Sequence, residues 1–311
     1  MSLDSSREIT IQGQTVLYKN EKEAPIRTVR SIAAAVQYAR KHDLRIHVDY
    51  VWGDASPRPL YTENEIKAIN AELAGNVTVR YQYFNKNTGT SYGHNRMVKG
   101  CKSDYLWITN PDIILQLDFF VEIMKPYLED NDHQIGIVEG RQTPIENRKQ
   151  YDYITGETSW GTGACTLFRT EAYLGVNGYD EECFFMYCDD VDISWRVRLQ
   201  GYKIIYVPSA VIFHDKRLSE KGQYVPTSAE IYYSLEARLL MAWKWSYDDL
   251  LKALIKEYKR IDTPDYRRAL ADFEKRKKED RLPPQLDPEH RVGDIRSTPD
   301  GGFLDYGPDR W

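Results

Sequence analysis

No stretch of the 311-residue sequence approaches the roughly 18 consecutive apolar residues of a membrane-spanning helix, and no charged segment followed by an apolar one stands at its start. These absences predict a soluble, cytoplasmic protein. Cysteine is scarce as well. Cys101, Cys165, Cys183 and Cys188 form no CxxC pair and are spread too widely for a disulfide framework in a chain of this size, so reduced thiols are expected. Nor is positive charge in excess: 47 acidic against 42 basic residues give a net charge of −5, which argues against a nucleic-acid binder held by bulk charge. Three catalytic signatures are missing too. GxxxxGK followed by Ser or Thr, HExxH and GxSxG do not occur, which removes P-loop phosphoryl transfer, zincin proteolysis and the common esterase elbow.

What is present is a globular composition, with 41% hydrophobic, 29% charged and 13% aromatic residues, enough apolar side chains for a large core. Through the first two hundred positions strand-like and helix-like segments alternate. Thr15 to Tyr18 reads as a short strand, Ser31 to Lys41 as a helix with an Ala-rich face, and Arg45 to Trp52 as a strand. Glu63 to Leu73 reads as a helix and Val77 to Phe84 as a strand; a polar, glycine-bearing stretch, Asn85 to Asn95, then leads into a short helix. Tyr105 to Thr109 is a compact apolar strand that stops at Asn110-Pro111-Asp112, followed by a helix from Asp118 to Leu128 and a strand from Gln134 to Val138. The repeated β-α-β unit predicts an α/β fold whose mostly parallel central sheet is flanked by helices. Ligands then belong at the carboxyl ends of the strands, where Asp54 and Asp112 fall.

From Gln150 the pattern changes to a hairpin, a turn at Gly161 to Gly163 and a strand from Ala164 to Arg169. Asp189 to Leu199 reads as a helix, Tyr202 to Phe213 as a strand pair broken at Pro208, and residues 228 to 259 as one long helix. The segment from Thr263 carries many charges and prolines and reads as a loosely docked arm or as disordered.

Several acidic positions and one histidine stand out by context. Asp112 follows a bulky strand and a proline, so its carboxylate should project from the sheet edge; the alternative is a turn carboxylate, since Asn-Pro-Asp is good turn chemistry. Asp189, Asp190 and Asp192 follow the aromatic run Phe184-Phe185-Met186-Tyr187. Carboxylates so close raise one another's pKa and one near apolar neighbours can serve as a base. An acidic helix N-terminus favoured by the macrodipole is the alternative. On a helix Asp189 and Asp192 share a face while Asp190 points elsewhere. A calcium loop is excluded, because the sixth and twelfth positions counted from Asp190 are Trp195 and Gly201 where Gly and Glu are wanted. His214 ends the apolar strand Val211-Ile212-Phe213 and is either structural or a ligand.

Four blocks, in order, resemble family 2 glycosyltransferases of the GT-A fold, and especially their rhamnosyltransferase-like branch. Asn87-Thr88-Gly89-Thr90-Ser91-Tyr92-Gly93-His94-Asn95 resembles the family's N-x-G-x-x-x-G-x-N segment. Trp107-Ile108-Thr109-Asn110-Pro111-Asp112 resembles its strand ending in NPD, a variant of the metal-binding DxD. Gly163-Ala164-Cys165, then Gly178-Tyr179-Asp180-Glu181, then Phe185 to Asp192 and Arg196 are similar to its acceptor-side block. Gly201-Tyr202 and Val207-Pro208 to His214 resemble the closing block. The sequence carries Asp at 189 where the family usually has Glu.

The resemblance implies a GT-A catalytic domain over residues 1–224, with a nucleotide-sugar half at about 14–138 and an acceptor half at about 139–224, and a C-terminal helical extension and charged tail over 225–311. It implies that Asp54 contacts the nucleotide's base or ribose and that Asn87, Gly93 and Asn95 shape the pocket wall. Asp112 would ligate a divalent cation, Mn²⁺ or Mg²⁺, bound to the diphosphate, with His214 as second ligand, and Asp190 would be the general base. Trp160, Asp189, Asp192 and Arg196 take acceptor-side or supporting places, Arg196 either bracing the acidic helix or touching a phosphate. The implied activity is inverting transfer of a sugar, rhamnose by branch, from a UDP- or dTDP-linked donor to a glycan or lipid-linked acceptor. Two rivals are a nucleotidyltransferase that forms nucleotide sugars and a non-catalytic module of the same fold. The first usually carries a glycine-rich loop after the first strand, and Tyr18 to Glu23 has no glycine. The helix from Glu230 to Tyr258 carries Trp243, Lys244 and Trp245, so it either lies peripherally on a membrane near a lipid-linked acceptor or packs on the catalytic core, and its tail could mediate homo-oligomer formation.

Overall fold

The computed structural model describes residues 8–145, 150–216, 220, 225–293, 296–297 and 304–305. The expected domain boundary at 224 lies outside the described residues. In chain order the elements are β1 (Ile9–Leu17), α1 (Glu23–Lys41), β2 (Ile46–Asp54), α2 (Glu63–Glu72), β3 (Val77–Tyr83), α3 (Gly89–Val98), β4 (Tyr105–Thr109) and β5 (Ile113–Leu115). There follow α4 (Phe119–Glu129), β6 (Ile135–Thr143), β7 (Cys165–Arg169), α5 (Thr170–Gly175), α6 (Asp189–Leu199) and β8 (Lys203–His214), and then α7 (Ser228–Lys244), α8 (Asp248–Ile261) and α9 (Pro264–Lys278).

Eight strands form one sheet in the order β3-β2-β1-β4-β7-β6-β8-β5. The expectation of parallel pairing holds for the first four, where β2 pairs with β1 and β3 and β1 with β4, all parallel. The second half is mixed: β7 runs antiparallel to both β4 and β6, β8 parallel to β6, and β5 antiparallel to β8. Helices cover both faces. The small residues Ala33, Ala35 and Ala39 of α1 are buried with Val29, Ile32 and Val36, which lets the helix sit close to the sheet.

Several elements depart from the expected bounds for local reasons. Helix α1 begins eight residues before Ser31, because Pro25 falls in its first turn, where the N–H it lacks would have had no helical acceptor. Strand β1 begins six residues before Thr15. Its inward-facing Gln12 and Gln14 obscure the alternation, and both are satisfied by α3 through bonds to the Met97 and His94 carbonyls, each 3.1 Å. Residues 203–214 are one strand rather than two. Its partner register passes from Gly140 opposite Val207 to Arg141 opposite Val211, so Pro208 is accommodated in a bulge where no ladder donor is required.

The long C-terminal helix is two helices, broken where Ser246 adopts φ 62° and Trp245 is buried. Of the segment from Thr263, residues Pro264–Lys278 form a docked helix, α9, which buries Ala269 and Phe273. Helices α7, α8 and α9 share one apolar core with Trp160, Phe184, Val191 and Trp195, which precede them in the chain. Lys244 and Trp245 lie inside that core and Trp243 donates to the Pro283 carbonyl at 2.8 Å. For this helix, packing on the catalytic core is therefore the alternative the structure takes. No helix among the described residues is long and apolar enough to cross a membrane.

Candidate active site

The register of the sheet edge brings Asp112 and His214 together. Strand β4 ends at Thr109, Asn110-Pro111-Asp112 turns the chain, and β5 pairs Ile113 directly with His214. Asp112 Oδ1 lies 3.3 Å from His214 Nε2, with the Asp112 side chain 32% exposed and that of His214 7%. The Asn110 amide lies 3.1 Å from the same ring nitrogen. His214 Nδ1 lies 2.9 Å from Oε1 of the buried Gln142, whose amide nitrogen donates to Thr162 Oγ1 at 2.8 Å. A buried imidazole and a partly exposed carboxylate suit an oxygen-preferring cation that accepts one nitrogen, such as Mn²⁺. Among the described residues no group of three or more His, Cys, Asp or Glu side chains surrounds this pair, so the remaining ligands of such a cation would be oxygens of substrate and water.

Helix α6 starts under strain. Tyr187 and Cys188 both occupy the left-handed region, at φ 67° and 56°, a cost of order 1–3 kcal/mol for a residue with a side chain. The turn they make sets the carboxylates apart. Asp189 is buried and accepts from Thr90 Oγ1 at 2.6 Å and Ser91 Oγ at 3.1 Å. Burial first, and then the adjacent Asp190 carboxylate, push Asp189 up to about 6. Asp190 is half-buried. It accepts from Gly163 N at 3.1 Å and from its neighbour Val191 N at 2.9 Å.

One loop links these groups. Thr162 holds Gln142 behind His214, Gly163 donates to Asp190, and the carbonyl of Ala164 accepts from Asn110 N at 3.2 Å. Three successive residues therefore connect the helix start carrying Asp190 to the turn carrying Asp112.

The other expected site residues divide by environment. Asp54 closes β2, yet its carboxylate is fully buried and accepts from Ser56 N and Leu60 N, both 2.8 Å, and from the Tyr81 hydroxyl. In this structure it holds the loop at 55–60 rather than facing an open cleft. Asn87 is exposed and its side chain accepts from Gly89 N at 3.3 Å. Gly93 lets α3 lie against β1, since a Cβ there would stand 2.6 Å from Val16 Cγ2. Asn95 clamps a loop: it donates to the Tyr179 carbonyl and Glu181, both 2.8 Å, and accepts from the Tyr173 hydroxyl and Tyr179 N. Trp160 is wholly buried in the C-terminal core.

Asp192, three residues on from Asp189 in α6, takes different partners. It is fully buried and pairs with Arg196 Nε at 2.7 Å and Lys244 Nζ at 2.7 Å, and it accepts from Trp245 Nε1 at 3.1 Å. Burial alone would push Asp192 up, but Arg196 and Lys244 together hold it below the usual carboxylate range. Arg196 also donates to the carbonyls of Val176 and Gly178, both 2.7 Å, which is the bracing alternative. Sequence reasoning did not find Gln142 or Thr162, which carry no motif, nor the place of Thr90 against Asp189. A signal existed for Gly89: it has φ +64° and a Cβ there would overlap the Phe185 carbonyl oxygen, a close approach that a glycine opening a helix can mark.

No family model matches the chain. Over 57 residues, 18% of each chain, it is 44% identical to the N-acetylglucosaminyl-diphospho-decaprenol L-rhamnosyltransferase of Mycobacterium tuberculosis. Over 160 residues it is 25% identical to the rhamnosyltransferase WbbL of Escherichia coli K12, a match covering 40% of this chain and 60% of that one. The chain thus spans less than two thirds of the length of either relative. A solved structure of GalNAc-T7 with UDP, GalNAc and Mn²⁺ superposes with a TM-score of 0.60 at 14% identity, covering 89% of this chain and 56% of the other. The fold is GT-A, with the C-terminal helices appended to it, and the sequence resemblance is to rhamnosyltransferases.

Proposed function

We propose that the chain transfers a sugar from a nucleotide-diphosphate donor to a hydroxyl of a glycan or lipid-linked acceptor, with inversion. The observation that carries this reading is the 162–164 loop, which links the Asp190 carboxylate to the Asp112–His214 pair. Names of the relatives favour rhamnose as the sugar and a diphospho-polyprenol glycan as the kind of acceptor.

Asp190 is the general base: one of its carboxylate oxygens takes the proton of the acceptor hydroxyl as the hydroxyl oxygen bonds to the anomeric carbon and the bond from that carbon to the diphosphate breaks. Its bonds from Gly163 N and Val191 N orient the group. Asp112 and His214 would hold Mn²⁺ or Mg²⁺, which when bound offsets charge on the departing diphosphate. One base without an opposing nucleophile corresponds to direct displacement. Asp189, kept largely protonated up to about 6 by burial beside Asp190, ties the base to α3 through Thr90 and Ser91.

The test pairs binding with turnover. Asp190→Asn should still show a thermal shift with dTDP-rhamnose or a UDP-sugar plus Mn²⁺, while transfer falls about 10²- to 10⁴-fold. Asp112→Ala should lose the Mn²⁺-dependent part of the shift. Near wild-type transfer by Asp190→Asn would sink the assignment.

A further inference from the structure

We propose that Gln142 is a positioning residue that fixes His214 as its Nδ1–H tautomer, so that Nε2 is presented beside Asp112 without a proton. Three contacts point the same way. Gln142 is 3% exposed and has little choice of partners. Its amide nitrogen is committed to Thr162 Oγ1 at 2.8 Å, which turns Oε1 towards His214 Nδ1 at 2.9 Å. An amide oxygen only accepts, so the ring nitrogen facing it carries the proton. On the other side, Asn110 Nδ2 lies 3.1 Å from Nε2, and an amide N–H donates only to a nitrogen that has none.

The consequence concerns Asp112. Its Oδ1 stands 3.3 Å from Nε2, so in this tautomer two electron-rich atoms face each other, an arrangement relieved by a cation between or beside them. Partners that orient a ligating imidazole in this way typically govern 10- to 100-fold in metal affinity. The role rests on the proposed metal-assisted transfer for its purpose but not for its geometry.

The experiment reads the tautomer directly in the metal-free protein. Long-range ¹H–¹⁵N spectra at about pH 8.5, well above the ordinary histidine value, should show the His214 ring protonated at Nδ1; His214→Asn identifies the signals. Gln142→Leu should move the ring towards Nε2–H, Gln142→Glu should retain Nδ1–H because a carboxylate accepts equally well, and Thr162→Val should give a mixture. In the same proteins, Mn²⁺ binding measured by electron paramagnetic resonance with UDP present should weaken 10- to 100-fold in Gln142→Leu and change little in Gln142→Glu. An Nε2–H ring in the wild type, or a ring unaltered in Gln142→Leu, overturns the positioning role. If the tautomer follows Gln142 while no variant, nor the wild type, binds Mn²⁺, the positioning stands and the metal assignment of the proposed function falls.

Discussion

Replacing Asp189 by Asn separates what this residue costs from what it contributes. In the folded chain its carboxyl is raised to about 6 from an ordinary 3.8, by burial and then by Asp190. Below about pH 4 both folded and unfolded carboxyls are protonated and the elevation has no effect on stability. As pH rises from about 4 to 6 the unfolded carboxyl ionises first, so stability falls, and above about 6 the full penalty persists. A gap of about two pH units, at about 1.4 kcal/mol each, sets that penalty at roughly 3 kcal/mol. Asparagine keeps an oxygen acceptor for the Thr90 and Ser91 hydroxyls and carries no charge. Asp189→Asn should therefore match the wild type near pH 4 and exceed it at pH 8 by up to roughly 3 kcal/mol. At a urea slope of about 3 kcal/mol/M that is a midpoint higher by up to about 1 M. Transfer activity should fall in the same variant, since a costly carboxylate beside the base is retained for function rather than for stability. Equal or lower stability at pH 8, or a difference that does not vary with pH, would refute the reasoning.

Three further outcomes are expected. Lys244→Met removes the partner of Asp180 and one of two cations on buried Asp192; with Arg196 still in place the loss should be about 3 kcal/mol, the low end for a broken buried pair. Calorimetry should then show Tm lower by about 5 °C, and a change below about 2 °C would contradict it. Gly93→Ala forces a methyl to 2.6 Å from Val16 Cγ2, so chemical denaturation should show a loss of about 1–3 kcal/mol, partly restored by adding Val16→Ala. Asp54→Ala leaves Ser56 N and the Tyr81 hydroxyl without their acceptor and Leu60 N with only the Tyr81 oxygen, at 3.0 Å; stability should fall by about 2–4 kcal/mol and limited proteolysis should cut within 55–60, whereas unchanged proteolysis would contradict the loop-holding role.

The parallel half of the sheet was legible because its strands carry their own signal. Tyr105 to Thr109 is apolar on both faces and is observed with those bounds, and α6 likewise runs from Asp189 to Leu199. Strand β1 was half hidden, since Gln12 and Gln14 are inward and polar yet satisfied by α3, a fact that exists only after folding. The break at Ser246 and the docking of α9 depend on distant partners, among them Trp195, which meets Trp245 edge to face with centroids 5.0 Å apart. At the site, the pairing of Asp112 with His214 was implied by family resemblance, and the Ile113–His214 register supplies its physical cause. Gln142 could not be singled out, because one glutamine in a strand looks like any other until its two neighbours are known.

The apolar core shared by α6 and the last three helices has a temporal consequence. A nascent chain that has emerged only as far as His214 already contains every side chain assigned to chemistry, yet Trp195 and Asp192 still lack Trp245, Lys244 and Phe273 as neighbours. The strained turn at Tyr187–Cys188 is offset by contacts made after that point in synthesis. Ribosome-bound intermediates should therefore be inert until the residues around 273 have cleared the exit tunnel.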